Sequence, residues 1–135
     1  MIQENFNFES LISKKIESLY QNDSKETLIF KTSDGYFIKY NTCNECCNSV
    51  WFSSINGLDS LIGGTVNKVI CKGWNDLEGN DYEVLESCFW TISTEKGFFD
   101  IEVRNSHNGY YGGYVECSEI TTNINHDYKI LTKDY

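Results

Sequence analysis

Three of the six cysteines lie within residues 43–47, in the stretch CNECC, and they form the densest group of side chains able to bind a metal or attack a substrate. The spacing Cys43-x-x-Cys46-Cys47 is part of a zinc knuckle, but a structural zinc ion needs four ligands, usually supplied as two pairs. No second Cys-x-x-Cys or His-x-x-x-His pair occurs, which leaves His107 as the main further ligand. Reduced cysteines also act as small hydrophobic side chains. We therefore expect no cofactor, with a metal-dependent enzyme at these four residues as an alternative.

The chain lacks the signatures of an enzyme. A nucleophilic cysteine needs a positioned base, and the two histidines, His107 and His126, stand in no recognisable catalytic motif. Phosphate-binding glycine loops and dinucleotide-binding fingerprints are also missing. We predict no catalytic residues.

A second candidate site is the loop NSHNGYYGGYVE, residues 105–116. Its glycines allow the backbone to approach a ligand closely, and tyrosines are enriched at binding interfaces. Trp51 lies in residues 43–52, a segment earlier in the chain that matches this loop in the internal repeat described below. The loop therefore predicts a binding surface or a pocket, and its binding residues are Asn108, Tyr110, Tyr111 and Tyr114, together with Trp51.

A third candidate is the acidic insertion NDLEGNDYEVLE, residues 75–86, which contains no basic residue. It fails as a calcium loop of the EF-hand type, because position six from Asp76 is aspartate where glycine is required. An acidic projection of this kind suits a basic protein partner. The predicted contact residues are Asp76, Glu78, Asp81 and Glu83.

The charge and composition of the chain limit the classes of partner that it is expected to bind. The chain has 135 residues, a net charge of −9 and 15% aromatic residues, enough for one domain with an ordinary core. A field of this sign repels nucleic-acid phosphates. The sequence contains no apolar run of membrane-spanning length and no signal peptide. We expect a protein of the host cytosol that binds neither nucleic acid nor membrane, with reduced cysteines.

Two stretches of the chain match each other. Residues 8–20 match 58–70 at an offset of 50, and residues 30–37 match 92–99 at an offset of 62. A third match, at an offset of 64, aligns Cys43 with His107. Asp-Gly between alternating apolar residues is a hairpin signal, and it occurs once, at Asp34-Gly35, with Lys96-Gly97 as its counterpart.

The pattern predicts a mostly β (α+β) fold in a single domain, 1–135. Two duplicated β-meander units, 8–55 and 58–120, would each begin with a short helix, end with a strand that closes the unit, and be related by a pseudo-twofold axis. A C-terminal extension, 121–135, would add an edge strand at YKIL.

Five short motifs occur in a characteristic order: TSDG (32–35), ECCNSVWF (45–52), LDSLIG (58–63), TEKGFFDI (94–101) and SHNGYYGGYVE (106–116). Their order resembles a family of small uncharacterised phage and prophage proteins, the domain-of-unknown-function family numbered 7448. The family pattern includes two adjacent cysteines, here Cys46 and Cys47, and an acidic residue where this chain has Asn48. Cys43 is peculiar to this sequence. The resemblance implies a phage or mobile-element setting and no known activity.

These observations predict a non-enzymatic phage or mobile-element binding protein. We expect an anti-defence inhibitor, similar in role to an anti-CRISPR, that contacts a host protein through an acidic surface. The expected partner is a nucleic-acid-handling immune effector. One alternative stays open beside the metal-dependent enzyme: sequestration of a small nucleotide immune signal in a pocket lined by the tyrosine and tryptophan loops.

Overall fold

A computed structural model describes residues 8–44, 48–77, 84–107 and 113–135. No helix in these ranges is long and apolar enough to cross a membrane. A 3-10 turn (Glu9–Leu11) and a one-turn helix α1 (Leu58–Leu61) accompany the strands β1 (Ile16–Gln21), β2 (Thr27–Thr32), β3 (Phe37–Asn44), β4 (Ser49–Asn56), β5 (Val66–Leu77), β6 (Val84–Thr94), β7 (Gly97–His107), β8 (Gly113–Thr121) and β9 (Lys129–Ile130).

The strands form two antiparallel sheets, which confirms the predicted mostly β class. The first sheet has the order β8-β3-β2-β1-β9, and the second has the order β4-β7-β6-β5. Strands β1 to β3 and β5 to β7 are consecutive meanders, as alternating apolar residues and hairpin turns predict. Side chains from both sheets meet in one continuous buried cluster.

The chain has two halves, residues 8–55 and 58–120, and the fourth strand of each half pairs with a different strand from the one predicted. We expected it to close its own meander, but β4 pairs with β7 and β8 pairs with β3. Each half therefore donates a strand to the sheet of the other half. A three-stranded meander alone buries little apolar surface, and the exchange ties both meanders to one shared core.

The starts of the two halves contact each other through paired backbone hydrogen bonds. The Ser13 N–H donates to the Val66 carbonyl oxygen at 2.7 Å, and the Gly63 N–H donates to the Ile16 carbonyl oxygen at 2.7 Å. The two donors, Ser13 and Gly63, are fifty positions apart in the sequence, and so are the two acceptors, Ile16 and Val66.

The connection in the second β-hairpin is one residue shorter than that in the first. Lys31 is opposite Phe37 in the first hairpin, whereas the equivalent Ser93 is opposite Phe98 in the second. The sequence match between Phe37 and Phe99 is therefore wrong in this region. Phe99 is fully buried and Phe98 is 64% exposed, because a shift of one residue sends every following side chain to the opposite face of a strand.

Aromatic rings fill the centre of the core. The Phe8 ring lies 4.5 Å from the Tyr40 ring and 5.6 Å from the Trp90 ring, measured between centroids. Tyr40 comes from the first sheet and Trp90 from the second, so Phe8 joins the two layers. Burial of one such side chain contributes about 1.5–3 kcal/mol.

The C-terminal segment crosses from one sheet to the other. Its strand β9 pairs with β1, within the predicted YKIL edge strand. Tyr135 then exchanges backbone hydrogen bonds of 2.8 and 3.1 Å with Ile55 of β4. The Asp134 carboxylate accepts hydrogen bonds from the N–H groups of Gly57 and Leu58, at 3.0 and 2.9 Å, and so caps the start of α1.

Candidate functional site

Three strand connections leave the two sheets at one end, which we call the loop end. There Asn44 of β3 is opposite Gly113 of β8, Ser49 of β4 is opposite Ser106 of β7, and β6 begins opposite the last residue of β7. The connections themselves, 45–47, 78–83 and 108–112, lie outside the described residues. The placement of the predicted site residues in them stays a prediction: Cys46, Cys47, Glu78, Asp81, Glu83, Asn108, Tyr110 and Tyr111.

A chain of polar side chains lies at the loop end. The Asn48 side-chain amide donates to Asn105 Oδ1 at 3.0 Å, and the Asn105 amide donates to Glu86 Oε1 at 3.0 Å. His107 Nε2 lies 2.9 Å from the same Glu86 oxygen. Asn105 is fully buried, so the carboxylate of Glu86 is held by partners that water reaches poorly.

Strand alternation explains why these side chains meet. Asn105 continues the core-facing positions of β7 after Ile101 and Val103, and Glu86 is opposite Asn105 in β6. Asp76 of β5 is opposite Glu86 in turn, but it is exposed. Two carboxylates directly opposite each other repel, and hydrogen bonds satisfy Glu86 while solvent screens Asp76.

The chemistry of this arrangement is limited. A carboxylate beside an imidazole can orient the ring or pass a proton. Within the described ranges, however, no three side chains of the histidine, cysteine, aspartate or glutamate type are close enough to share a metal ion. The Glu86–His107 contact joins β6 to β7 at the loop end.

Cys43 and His107 lie on different faces of the two sheets. Cys43 is half-buried on the outer face of the first sheet, opposite Tyr114, whereas His107 continues the core-facing row of the second sheet. Burial, followed by a hydrogen bond with the Glu116 carboxyl, raises the pKa of the Cys43 thiol to about 12. A thiol with such a pKa is protonated at neutral pH and is a poor nucleophile and metal ligand. The alternative metal site at Cys43, Cys46, Cys47 and His107 stays a prediction, because Cys46 and Cys47 lie outside the described residues.

Trp51 and Tyr114, the described members of the predicted aromatic loops, point away from each other. Trp51 lies between the buried residues Val50 and Phe52, so its side chain is on the outer face of the second sheet. Tyr114 precedes the buried Val115 and faces outward from the first sheet. These two side chains consequently do not line one pocket.

The long strand β5 is the edge of the second sheet. It hydrogen-bonds to β6 on one side, and the sheet ends there. Ile70 and Trp74 on this strand are 38% and 37% exposed, and Phe89 of β6, on the same outer face as Ile70, is 38% exposed. Asp76, predicted as a binding residue, lies near the end of the same strand.

Sequence reasoning missed Ile70, Trp74 and Phe89. The sequence nevertheless contains a pattern that indicates this exposed strand. Charged and apolar residues alternate at every second position, in the order Lys68, Ile70, Lys72, Trp74 and Asp76. Such a pattern is typical of a strand with one exposed edge. A bulge between Cys71 and Trp74 then moves Ile70 and Trp74 to opposite faces, which the sequence pattern does not reveal.

Comparison with known proteins identifies the family to which the chain belongs. A model of a domain of unknown function, DUF7448, matches residues 9–117. The chain belongs to this DUF7448 family. Its similarity to uncharacterized protein L278 of Acanthamoeba polyphaga mimivirus is 30% identity over 96 residues, covering 66% of this chain and 73% of the relative. No solved structure matches significantly.

The DUF7448 match extends from the first 3-10 turn into β8 and therefore includes both meanders, the exchanged strands and the polar chain at the loop end. Family membership confirms the sequence resemblance. The relative is from a virus of an amoeba, and the comparisons therefore support an uncharacterised domain family without a specific phage or prophage setting. The segment after residue 117, with β9 and Asp134, lies beyond the matched part.

Proposed function

We propose that this protein is a non-enzymatic viral binding protein that inhibits a host defence effector by protein–protein contact. The observation that carries this proposal is the edge of β5 beyond Val66, where exposed apolar side chains accompany a strand that pairs only with β6 among the described strands. The viral relative supports the setting.

Strand addition is the binding mode that this edge favours. An edge strand offers backbone N–H and carbonyl groups to an extended segment of another protein, and side chains on alternate faces provide selectivity. Because Ile70 and Trp74 lie on opposite faces, an added strand would contact an apolar side chain on each side. Tryptophan is among the residues that most often dominate binding energy in interfaces.

Charge sets the chemistry of the partner. Asp76 is exposed at the loop end of β5, whereas Lys68 and Lys72 are exposed nearer its start. A net charge of −9 over the whole chain speeds association with a basic partner. The matching partner is therefore a basic protein with an exposed extended segment, which suits an effector that handles nucleic acid.

A phage-plating assay tests the proposal. Bacteria that carry an RNA-guided nuclease system would express the wild-type protein, and phage plating should recover. A variant with both Ile70→Thr and Trp74→Ser should lose the recovery, because both apolar anchors are removed. The matched control is Ile120→Thr, which removes an apolar side chain that is 57% exposed on edge strand β8 of the other sheet. It should retain full activity.

Other outcomes overturn the proposal. Loss of activity in the control but not in the double variant would place the contact on the first sheet. Native mass spectrometry of the wild-type protein separates the other two functions, since a co-purified nucleotide would favour sequestration and a bound metal would favour an enzyme. Failure to protect phage against a panel of nucleic-acid-handling effectors would refute inhibition of this class.

We also propose that the two halves are duplicated units related by a pseudo-twofold axis. The strands follow the same order in both sheets. Each sheet begins with the fourth strand of the other half and continues with the third, second and first strands of its own half. The reciprocal hydrogen bonds of Ser13 and Gly63 support it, because a twofold contact makes each interaction twice. The first strand of each half also has a register shift at matching positions, Ile16/Ser18 and Val66/Lys68.

A further inference from the structure

Two cysteine thiols meet across strands β5 and β6. The sulfur atoms of Cys71 and Cys88 are 3.5 Å apart. A disulfide bond is about 2.0 Å long, so the sulfurs need to approach by about 1.5 Å, a distance within reach of side-chain rotation. We propose that Cys71 and Cys88 form a peroxide-sensitive thiol pair that closes to a reversible disulfide. This inference does not rest on the proposed function.

The two thiols differ in solvent exposure and would therefore have different roles in the reaction. Cys71 is exposed on the edge strand, whereas Cys88 is fully buried in the core. An oxidant in solution therefore reaches Cys71 first. Burial, and then the neighbouring Cys71 thiol, raise the pKa of Cys88, which keeps the inner thiol protonated until a partner forms beside it.

The backbone at the bulge supports the outer sulfur. The Gly73 N–H donates a hydrogen bond to Cys71 Sγ at 3.4 Å, so the backbone of the bulge contacts the outer sulfur directly. Gly73 has φ +81°, and a side chain added there would meet no atom within 4 Å. The bulge beside Cys71 thus contains a glycine in the left-handed conformation, which other residues adopt poorly.

The reaction balances with hydrogen peroxide as the oxidant. The Cys71 thiolate attacks one peroxide oxygen, the O–O bond breaks, and Cys71 becomes a sulfenic acid while hydroxide leaves and takes up a proton as water. The Cys88 sulfur then attacks the Cys71 sulfur, the S–O bond breaks, and the Cys88 proton leaves with the hydroxyl group as a second water. Two thiols are oxidised to one disulfide, and one peroxide is reduced to two waters.

A disulfide at this place would act on the edge strand. The two cysteines flank the register shift between Cys71 and Trp74, because Cys71 is opposite Trp90 and Trp74 is opposite Cys88. A covalent bond across the shift would hold β5 on β6 and limit movement of the bulge. The exposed thiol that an oxidant could convert irreversibly would also be protected.

Oxidation of the full-length protein tests the pair. Reduced protein is treated with hydrogen peroxide, alkylated with iodoacetamide, digested and mapped by mass spectrometry. We expect a peptide linked through Cys71 and Cys88, about 2 Da lighter than the two reduced peptides together, and alkylation of Cys71 lower by about tenfold. Dithiothreitol should restore the alkylation.

Variants separate the two roles. In Cys88→Ala, Cys71 should accumulate as a sulfenic acid that dimedone traps, because its resolving thiol is absent. In Cys71→Ser, Cys88 should remain reduced, because it is buried. The matched control is Cys117→Ser, on a half-buried cysteine of β8, which should leave the linked peptide unchanged. The inference is overturned if the linked peptide joins other cysteines, or if Cys71 in the wild-type protein proceeds to sulfinic acid without a link to Cys88.

Discussion

Replacement of Asn105 by alanine examines the polar chain at the loop end most directly. Asn105 is fully buried, accepts one hydrogen bond from Asn48 and donates one to the Glu86 carboxylate. A neutral hydrogen bond contributes about 0.5–1.5 kcal/mol, and one to a charged group contributes about 1.5–3 kcal/mol. Because water can enter near the strand ends and replace part of this, we expect the free energy of unfolding to fall by about 2–4 kcal/mol.

Urea unfolding followed by tryptophan fluorescence measures this change, since Trp90 is buried in the core and reports its loss. The matched control is Asn56→Ala, an exposed asparagine on β4. This substitution should change the free energy of unfolding by less than about 0.5 kcal/mol. The m-values of both variants should equal that of the wild type.

A double-mutant cycle isolates one bond in the polar chain. Asn48→Ala and Asn105→Ala each remove the same amide contact, so their combined effect should be smaller than the sum by about 0.5–1.5 kcal/mol. Strict additivity would show that the two amides do not interact in solution. Equal stability of Asn105→Ala and Asn56→Ala would refute the inference that the polar chain stabilises this end of the core.

Two further predictions concern the backbone and the matched halves. Gly57 and Gly35 have φ +98° and +94°, but a side chain at Gly57 would overlap the Phe98 carbonyl, while none of the surrounding atoms lies within 4 Å at Gly35. Gly35→Ala should lower the free energy of unfolding by about 1–2 kcal/mol for the left-handed conformation, and Gly57→Ala by at least about 1 kcal/mol more; equal losses in thermal or urea unfolding would contradict the overlap. Leu11 and Leu61 are both fully buried at matching positions, so each alanine substitution should lower stability by about 2–5 kcal/mol. A difference beyond about 2 kcal/mol in urea unfolding would count against equivalent units.

Sequence alone determined the local elements. Alternating apolar residues around Asp34-Gly35 and Lys96-Gly97 predicted the hairpins, because period-two burial and turn chemistry act over a few neighbouring residues. The short turn at residues 9–11, the helix at 58–61 and the last strand of each half were predicted for similar reasons. The binding residues in the connections stay a prediction, since they fall outside the described ranges, and Trp51 and Tyr114 lie on the outer faces of different sheets.

Only the tertiary structure decided which sheet each fourth strand joins and which side chains meet. Local patterns are the same whether β4 pairs with β3 or with β7, and the difference comes from the core that the two sheets share. The one-residue shift in the second hairpin placed Cys43 and His107 in different surroundings, because a single residue reverses the face of a strand. Contacts such as Glu86 with His107, and Cys71 with Cys88, depend on register and a bulge, which are set by packing across the whole fold.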